Sequence, residues 1–595
     1  MATTDVPVLI IGGGGCGLSA SIFLSNLGVE HTLVERHPTT SHLPKAHYLN
    51  QRTLEVYRQH GVADRIYEVG APLDNFGKIK WVTSIGGDRP LDRRLIHEMD
   101  SFGGGSLQER YMTDSPSVAS NYPQLRLEPL LREEAEKRAP GRILFNHTVT
   151  DWEQQDGGGV AVTVVNGETD ETQTINARYV VAADGGKTVG PKLGVEMAGP
   201  TNMVDMVSVH FEADLSEYVD DATLIHWFLN PEAQNSWDAG ALVKMGPTWD
   251  RHSEEWTIHF MFRPDDPESF DESAIVPRLR DLLKLPELDI SVRKVSHWIL
   301  DRIVAQQWRF GDIFLAGDAA HRQPPTSGLG LNTGIQDAQA LAWRLAAAIN
   351  GVGGEDVLDS YEAERIPVAT DGADWALLAF SNHTVIDAAI GLVPGATVDQ
   401  NRVAFETLFG DTRISGAIRA RTADAIGTQR FEFQAHDIEM GYAYPTGSFI
   451  SDGTTAPTSL DGTVYTPTTT PGRRLPHAWL EVEGTRISTL DLVSQGWGLT
   501  LITDAEGQGW GEAAEAISAS IGVPITVNVI GGDGGADDVE GRWREINELE
   551  VGGAILVRPD QFIAWRSTGP VQDPSSELIS VLHEVLGIQS AVLRS

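Results

Sequence analysis

The sequence predicts an α/β fold, and three observations near its start support this prediction. An apolar, strand-like segment at 8–11 runs directly into the glycine-rich turn 12–17, and a helical pattern follows at 18–27. A second apolar strand then ends at the acidic residue Glu35. Strand, G-x-G-x-x-G turn, helix, strand and acid in this order are typical of the βαβ unit that binds the pyrophosphate of a dinucleotide.

The residues of this unit have separate expected roles. Gly12 permits the tight turn, Gly14 lets the backbone approach the phosphates, and Gly17 lets the helix pack closely on the strand. The N-terminus of the helix presents free N–H groups and a partial positive charge to the anion. Glu35 is placed to accept hydrogen bonds from an adenosine ribose. On these residues alone, the nucleotide is either NAD or FAD.

Composition limits the partners that we expect. The formal net charge of −38 disfavours binding to nucleic acid and to anionic membranes. No apolar run approaches the ~20 residues of a membrane helix, and no secretory signal is visible. Cys16 is the only cysteine, which excludes intrachain disulfides and cysteine metal clusters. We therefore expect a cytoplasmic protein with no nucleic-acid or membrane partner and no metal site.

The 595 residues are enough for several domains. The pattern predicts a helix over Gln124–Arg138, a strand-rich stretch from about 200 to 300, and two apolar-rich helices near 330–350 and 358–380. A Thr/Pro/Gly-rich linker at 454–471 precedes a segment with its own βα alternation. Four aromatic residues of the strand-rich stretch either line a pocket or belong to the core: Trp227, Phe228, Phe260 and Phe262.

Two further motifs each place an aspartate just after an apolar strand. The first is Asp184-Gly185, after the strand at 179–183, and the second is Gly317-Asp318, after the strand at 313–316. A Pro/Gly-rich loop over 321–331 follows the second motif, and we expect the next helix to begin at Asn332. Both aspartates are therefore expected at the edge of a cofactor site.

The three motifs, in this order, closely resemble the class A FAD-dependent aromatic hydroxylases, a family of flavoprotein monooxygenases. The resemblance is strongest to the phenol-hydroxylase branch, which includes 2,4-dichlorophenol and 2-hydroxybiphenyl monooxygenases. It covers almost the whole chain. The segments that carry it are 44–47, Asn50, 52–55, 123–131, 317–325, 328–334, 337–338, 488–492, 558–560 and 564–566.

This resemblance implies a Rossmann-like FAD-binding domain, an inserted β-sheet substrate domain and a C-terminal thioredoxin-like domain. The expected bounds are 1–75, 100–190 and 296–400 for the FAD-binding domain, 76–99 and 191–295 for the substrate domain, 401–470 for a helical linker, and 471–595 for the C-terminal domain. The last domain has no cysteine, so thiol–disulfide chemistry is excluded there. We expect it to serve in packing or in a homodimer.

The resemblance also implies FAD as the cofactor and NADH or NADPH as co-substrate, with no separate nicotinamide domain. Glu35 would hold the FAD ribose, Gln124 the flavin side chain, Asp318 the ribityl and pyrophosphate region, and Asp184 the pyrophosphate and the docking nicotinamide nucleotide. Lys45 departs from the arginine that this branch commonly carries. The full predicted cofactor set is Gly12, Gly14, Gly15, Gly17, Glu35, Arg36, Lys45, Gln124, Asp184, Asp318, Pro325, Gly328, Gly330, Leu331 and Asn332.

The activity implied is hydroxylation of a phenolic ring with NAD(P)H and O2, through a flavin C4a-hydroperoxide. A phenol reacts best as phenolate, so a base is needed near its hydroxyl, and the resemblance assigns His47 to that role. His47 is otherwise a structural residue between strand and helix, and His321 is expected to be structural. A larger aromatic polyketide or other natural product remains an alternative substrate. A flavin-binding protein without enzymatic activity is the alternative of a different class.

Overall fold

The computed structural model describes residues 2–233, 235–261, 272–393 and 395–587. The first of three principal sheets has the strand Ala2–Ile11 at its centre, between the parallel strands Thr172–Ala182 and His31–Glu35. Its remaining strands are Ile143–Phe145, His147–Gln154, Val160–Asn166, Arg309–Phe310 and Ile313–Leu315. The strand Ile313–Leu315 runs parallel to Thr172–Ala182. The carboxyl ends of these parallel strands therefore meet at one edge, which is where such sheets bind ligands.

The second sheet has seven strands, which in order are Ser291–Leu300, Val204–Glu212, Glu255–Met261, Ala241–Gly246, Thr223–Phe228, Lys78–Val82 and Leu95–Asp100. One face packs on the helix Ile275–Leu283 and forms a separate core with Trp256 and Phe260. Met206 and Val243, on the opposite face, belong to the main core together with Tyr48 of the first-sheet region. Because side chains alternate along each strand, one face of this sheet packs against the separate core and the other face, called the near face below, packs into the main core that also contains the first sheet.

The third sheet lies near the C-terminus and has the strand order Ile525–Ile530, Leu499–Asp504, Ala554–Val557 and Ile563–Ser567. Its first two strands are parallel and the others pair antiparallel. The helices Gln508–Ile521 and Pro574–Leu586 pack together beside it. A βαβ unit followed by a ββα unit in this strand order is a thioredoxin-like arrangement. The three sheets together confirm the predicted fold class.

The other elements connect these sheets. The helices are Gly15–Asn26, Gln51–Gln59, Ala63–Val69, Gln108–Asp114, Gln124–Arg138, Val189–Leu193, Ser236–Ala239, Ile275–Leu283, Leu329–Ile349, Glu355–Ile390, Val398–Leu408, Arg413–Gly427, Arg430–Phe433, His436–Met440, Gln508–Ile521, Arg542–Ile546 and Pro574–Leu586. Short strand pairs and triplets are formed by Tyr48–Leu49 with Ser120–Asn121, by Met197–Ala198, Ile303–Ala305 and His321–Arg322, and by Trp479–Val482 with Thr485–Ser488. Within the described ranges, no helix has the length and apolar character needed to cross a bilayer.

Two predicted helix starts are wrong. The first helix begins at Gly15, not at Leu18, so the last three residues of the glycine-rich segment 12–17 are already helical. The helix after the Gly317-Asp318 motif begins at Leu329, not at Asn332. Gly328, in the left-handed region at φ 62°, ends the loop and starts the helix, so Gly330 and Leu331 lie in the first helical turn. The Gln124–Arg138 helix, in contrast, has the predicted bounds. The domain bounds given above stay a prediction.

Buried ion pairs join the segment after the strand Ala554–Val557 of the third sheet to the helices Leu329–Ile349 and Glu355–Ile390. Arg558 contacts both carboxylate oxygens of Glu364, at 2.6 and 2.8 Å, and also contacts Asp560 at 2.6 Å. Arg344 contacts Glu364 at 2.5 Å from the other side. All four side chains are at most 2% exposed. Burial is the largest single effect on Asp560 and would raise its pKa, but the charge and hydrogen bonds of Arg558, together with the charges of Arg344 and Arg52, lower that pKa overall.

We expect Arg558→Met to destabilise the chain by about 3–5 kcal/mol, because it leaves buried carboxylates without one of their cations. The fall in thermal unfolding temperature of the FAD-loaded protein measures this effect. Arg486→Met is the matched control, because Arg486 and its partner Glu540 form an ion pair that is about half exposed and contributes little. Equal shifts for the two variants would contradict a supporting role of the buried network.

Candidate functional site

The glycine-rich turn lies where the strand Ala2–Ile11 meets the helix Gly15–Asn26. Gly12 has φ 116°, and a Cβ there would lie 2.2 Å from the Ala183 carbonyl oxygen. A Cβ at Gly17 would lie 2.0 Å from the Gly12 carbonyl oxygen, so the fold itself requires both glycines. Gly14 differs, because its backbone is extended and the nearest atom to an added Cβ is a Glu128 oxygen at 3.5 Å. The protein leaves open space at Gly14, as the approach of a phosphate demands.

The acid at the end of the second strand holds this turn in place. The two carboxylate oxygens of Glu35 accept hydrogen bonds from the backbone N–H groups of Gly13, at 2.7 Å, and His37, at 2.8 Å. Glu35 remains half-buried, and Arg36 beside it is exposed, with Nε 3.2 Å from His37 Nε2. Glu35 therefore stabilises the turn from the end of the second strand, and its side chain stays partly accessible to solvent.

Glu128 is a site residue to which the sequence analysis gave no role. One carboxylate oxygen accepts hydrogen bonds from Gly15 N–H at 3.2 Å and from the Gln124 amide at 2.5 Å, and the other accepts from Ser41 N–H at 2.9 Å. Burial raises the pKa of Glu128. Its position one helical turn after Gln124 is the sequence signal that connects the two. Lys45, in contrast, is exposed.

The two motif aspartates differ in how the protein uses them. Asp184 accepts hydrogen bonds from the N–H groups of Gly186, Thr188 and Val189, so its carboxylate caps its own loop. Asp318 is exposed, and no hydrogen bond joins its carboxylate to any other described residue. Asp318 is thus the motif acid that is free to meet a ligand hydroxyl.

His321 lies in a buried network below the second motif. His321 Nε2 lies 2.9 Å from Asp337, which also accepts from Gly317 N–H and forms an ion pair with Arg365 at 2.8 Å. Its ring stacks on Trp308, with 5.6 Å between the ring centroids. These contacts agree with the structural role expected for His321.

The start of the helix Leu329–Ile349, together with the end of the loop before it, lies beside the glycine turn. A side-chain carbon of Leu331 lies 2.8 Å from where a Cβ on Gly15 would be. The Asn332 amide donates to the carbonyl oxygens of Gly328, at 2.7 Å, and Tyr48, at 2.9 Å, and its oxygen accepts from the Asn50 N–H at 3.0 Å. Pro325 is exposed and Gly330 is half-buried. Asn332 therefore fixes the start of this helix to the segment that follows His47.

His47 precedes the short strand Tyr48–Leu49, which pairs with Ser120–Asn121. His47 Nδ1 lies 2.6 Å from Asn121 Oδ1, and the Asn121 amide nitrogen donates to the Lys244 carbonyl oxygen at 3.4 Å. Because that contact orients the amide, Oδ1 faces the imidazole and Nδ1 must carry its hydrogen. Nε2 is left as a lone-pair acceptor, and it has no partner among the described residues. The sequence analysis missed Asn121, which lies just before the 123–131 segment.

Burial lowers the pKa of His47, and the Asn121 hydrogen bond offsets part of this effect. The imidazole is consequently neutral near pH 7. It is half-buried and lies beside the second sheet, since Asn121 contacts a backbone carbonyl of the strand Ala241–Gly246. A neutral, oriented imidazole in this place is able to accept a proton from a bound hydroxyl.

The aromatic residues of the second sheet divide between its two faces. Phe228 and Phe260 belong to the core on the far face. Trp227 lies on the near face, where its ring is 4.8 Å from Trp237 and 4.3 Å from His383, measured between centroids. Phe262 lies outside the described residues. Among the described residues of this set, only Trp227 lies on the near face of the sheet.

This site fits FAD. The turn is open at Gly14, the first helix directs its N-terminus there, and Asp318 is free. Comparison with known proteins leads to the same conclusion. A family described as FAD binding domain matches residues 5–376, and one described as aromatic-ring hydroxylase, C-terminal, matches residues 468–588.

Individual relatives match along nearly the whole chain. Tetracenomycin A2 monooxygenase-dioxygenase of Streptomyces glaucescens is 33% identical, covering 98% of each chain. Phenol 2-monooxygenase of a Pseudomonas species (strain EST1001) is 31% identical, covering 98% of this chain and 94% of the relative. The crystal structure of the flavin-dependent monooxygenase PieE, in complex with FAD and substrate, matches with a TM-score of 0.91 and 35% identity, over 99% of this chain and all of that one. The chain belongs to this FAD-binding-domain family and is an FAD-dependent aromatic-ring hydroxylase.

Proposed function

We propose that this chain hydroxylates a phenolic ring, with NADH or NADPH as reductant and O2 as oxidant, and that His47 is the catalytic base. Bound FAD would take electrons from NAD(P)H and activate O2, which is the source of the oxygen atom that is transferred. The turn 12–17 would hold its pyrophosphate, Glu35 its ribose, and Asp318 and Gln124 its flavin side. Residues 325–332, at the end of the loop and the start of the helix Leu329–Ile349, would lie along the ring. Asp184, Arg36 and Lys45 stay predicted cofactor residues, with Asp184 acting through the loop that it caps.

The observation that carries the proposal is the hydrogen-bond polarity of His47. Asn121 holds the hydrogen on Nδ1, so Nε2 is free to accept the proton of a substrate hydroxyl. Accepting that proton favours the phenolate, whose ring is more electron-rich and a better nucleophile toward an electrophilic oxygen. His47 is half-buried, which limits the access of water to the same proton.

A larger aromatic polyketide or similar natural product is the second candidate substrate. The relative from Streptomyces glaucescens, named for tetracenomycin A2, supports it as strongly as phenol 2-monooxygenase supports a simple phenol. Both substrates need the same base at a ring hydroxyl. The two candidates therefore differ in the size and polarity of the surrounding site, not in the chemistry at His47.

A substrate screen tests the proposal. Phenols and hydroxylated polycyclic aromatics are added singly to the FAD-loaded protein, and NADH and NADPH consumption is followed together with product mass. We expect at least one hydroxyarene to stimulate consumption and to gain one oxygen atom. Matched rings that lack the hydroxyl should not be hydroxylated. If no hydroxyarene changes the rate at which NADH or NADPH is consumed, the proposal is contradicted.

We further propose that the protein acts as a cytoplasmic homodimer. The single cysteine supports a reducing compartment, and the predicted packing role of 471–595 supports self-association. Sedimentation equilibrium of the full chain at micromolar concentration should give twice the chain mass. A single-chain mass over that range would contradict the dimer. Truncation near 470 should give insoluble protein, because it removes Arg558 from Glu364.

A further inference from the structure

A polar group on the near face of the second sheet points toward the region of His47. It consists of Ser208, His259 and Trp298. Ser208 and His259 are directly paired across adjacent strands, and Trp298 lies on the strand at the other side of Ser208. Ile258 and Phe260, which flank His259, belong to the separate core of the far face. The side chain of His259 consequently lies on the face that turns to the first-sheet region.

The hydrogen bonds of this group determine its polarity. Trp298 Nε1 carries only a donor, and it donates to Ser208 Oγ at 2.8 Å. Ser208 Oγ lies 2.7 Å from His259 Nδ1, which is the one acceptor that its hydroxyl has among the described residues. Ser208 is 6% exposed, and a buried hydroxyl needs an acceptor. Ser208 therefore donates to Nδ1, and the ring hydrogen of His259 lies on Nε2.

His259 and His47 thus present opposite polarities. Burial, together with a smaller effect of His47, lowers the pKa of His259 to about 3, so its ring is neutral and has a single N–H. The two histidines lie in the same region, because Asn121, which contacts His47, also contacts the Lys244 carbonyl oxygen on the strand that pairs with the strand of His259. Nε2 of His259 has no partner in the parts of the chain that the structure describes. His47 offers an acceptor to the substrate, whereas His259 offers a donor.

We propose that His259 determines specificity by donating a hydrogen bond to a carbonyl-type oxygen of the substrate, while His47 accepts from its hydroxyl. This inference rests on the proposed function and narrows the substrate class to hydroxyaryl carbonyl compounds. A plain phenol satisfies His47 but leaves the donor of His259 without a partner, which a polar site disfavours. The position of Ser208 and Trp298 behind His259 makes them positioning residues.

The test compares matched probes on the FAD-loaded protein. The 2′-, 3′- and 4′-hydroxyacetophenones carry the carbonyl, and the corresponding isopropylphenols match their shape without it. The dissociation constant of each probe is measured from the change in flavin absorbance, and KM and kcat are measured for those turned over. We expect at least one ketone to bind about tenfold more tightly than its isopropyl counterpart. The difference should lie in KM more than in kcat.

Variants separate a specific donor from a general structural role. His259→Phe should abolish the preference for the ketone, whereas His259→Gln, which keeps an amide donor near the Nε2 position, should retain part of it. Ser208→Ala should weaken the preference, because nothing then holds the hydrogen of His259 on Nε2. Ser296→Ala is the control, since that hydroxyl contacts the Ser208 carbonyl oxygen and not His259. FAD content is measured for each variant to show that it folds.

Three results would overturn the inference: equal affinity of the wild type for both probes, failure of every ketone to bind, or a preference that survives in His259→Phe. Failure of the proposed function looks different. In that case no hydroxyarene yields a product with one added oxygen atom, whatever the relative affinities of the probes.

Discussion

His47→Ala should retain FAD and slow hydroxylation by about 10²–10⁴-fold, the usual contribution of a positioned base. The physical reason is that His47 makes the ring more nucleophilic by favouring phenolate and has no part in reducing the flavin. Reduction by NAD(P)H should therefore suffer less than oxygen transfer. Hydrogen peroxide should be released in place of product. The measurement is the amount of product and the amount of hydrogen peroxide formed for each NAD(P)H consumed.

The pH profile adds a second test of the same variant. In the wild type, activity should fall on the acid side, because His47 protonated below its lowered pKa has no lone pair to offer. In His47→Ala, rising pH should partly restore the rate, because more phenol ionises without help. His321→Ala is the comparison and should lose FAD or stability, since it removes a partner of buried Asp337. Wild-type coupling and pH profile in His47→Ala would remove His47 from the mechanism.

Gly14→Val should yield a colourless protein that folds but does not retain FAD. Gly14 has extended backbone, and an added Cβ meets no protein atom closer than 3.5 Å, so the fold tolerates a side chain there. The valine methyl groups would instead occupy the space through which the pyrophosphate approaches the backbone. FAD content by absorbance, together with the circular dichroism of the same sample, measures both parts of the expectation.

Gly157→Val is the matched control for this variant. Gly157 also has open space around an added Cβ and no left-handed backbone, but it lies in an exposed loop. It should bind FAD as the wild type does. Full FAD occupancy in Gly14→Val would refute the assignment of the turn.

Much of this fold can be predicted from local sequence patterns, because many of its helices and strands depend mainly on residues that are near one another in sequence. The βαβ unit and the Gln124–Arg138 helix follow from the apolar spacing and the glycine turn alone. The start of the helix at Leu329 does not, because it depends on the left-handed conformation of Gly328 against Tyr48. The thioredoxin-like domain was predicted by resemblance and confirmed by its strand order.

The site residues were predictable to the extent that a motif names them. His47 follows from its motif, but the contact that sets its tautomer joins it to Asn121, 74 residues away in sequence. The role of Asp184 toward the pyrophosphate stays a prediction, and the motif does not reveal that its oxygens accept hydrogen bonds from three backbone N–H groups of its own loop. The Ser208–His259–Trp298 group depends on cross-strand pairing, which no single segment reveals.

The most direct test of the central claim is the source of the oxygen in the product. The FAD-loaded protein is supplied with NAD(P)H, a hydroxyarene that stimulates its consumption, and ¹⁸O₂ in unlabelled water. We predict a product that carries one ¹⁸O atom as a new ring hydroxyl. A product without the label, or NAD(P)H consumption that gives only peroxide with every hydroxyarene, would contradict a phenolic hydroxylase.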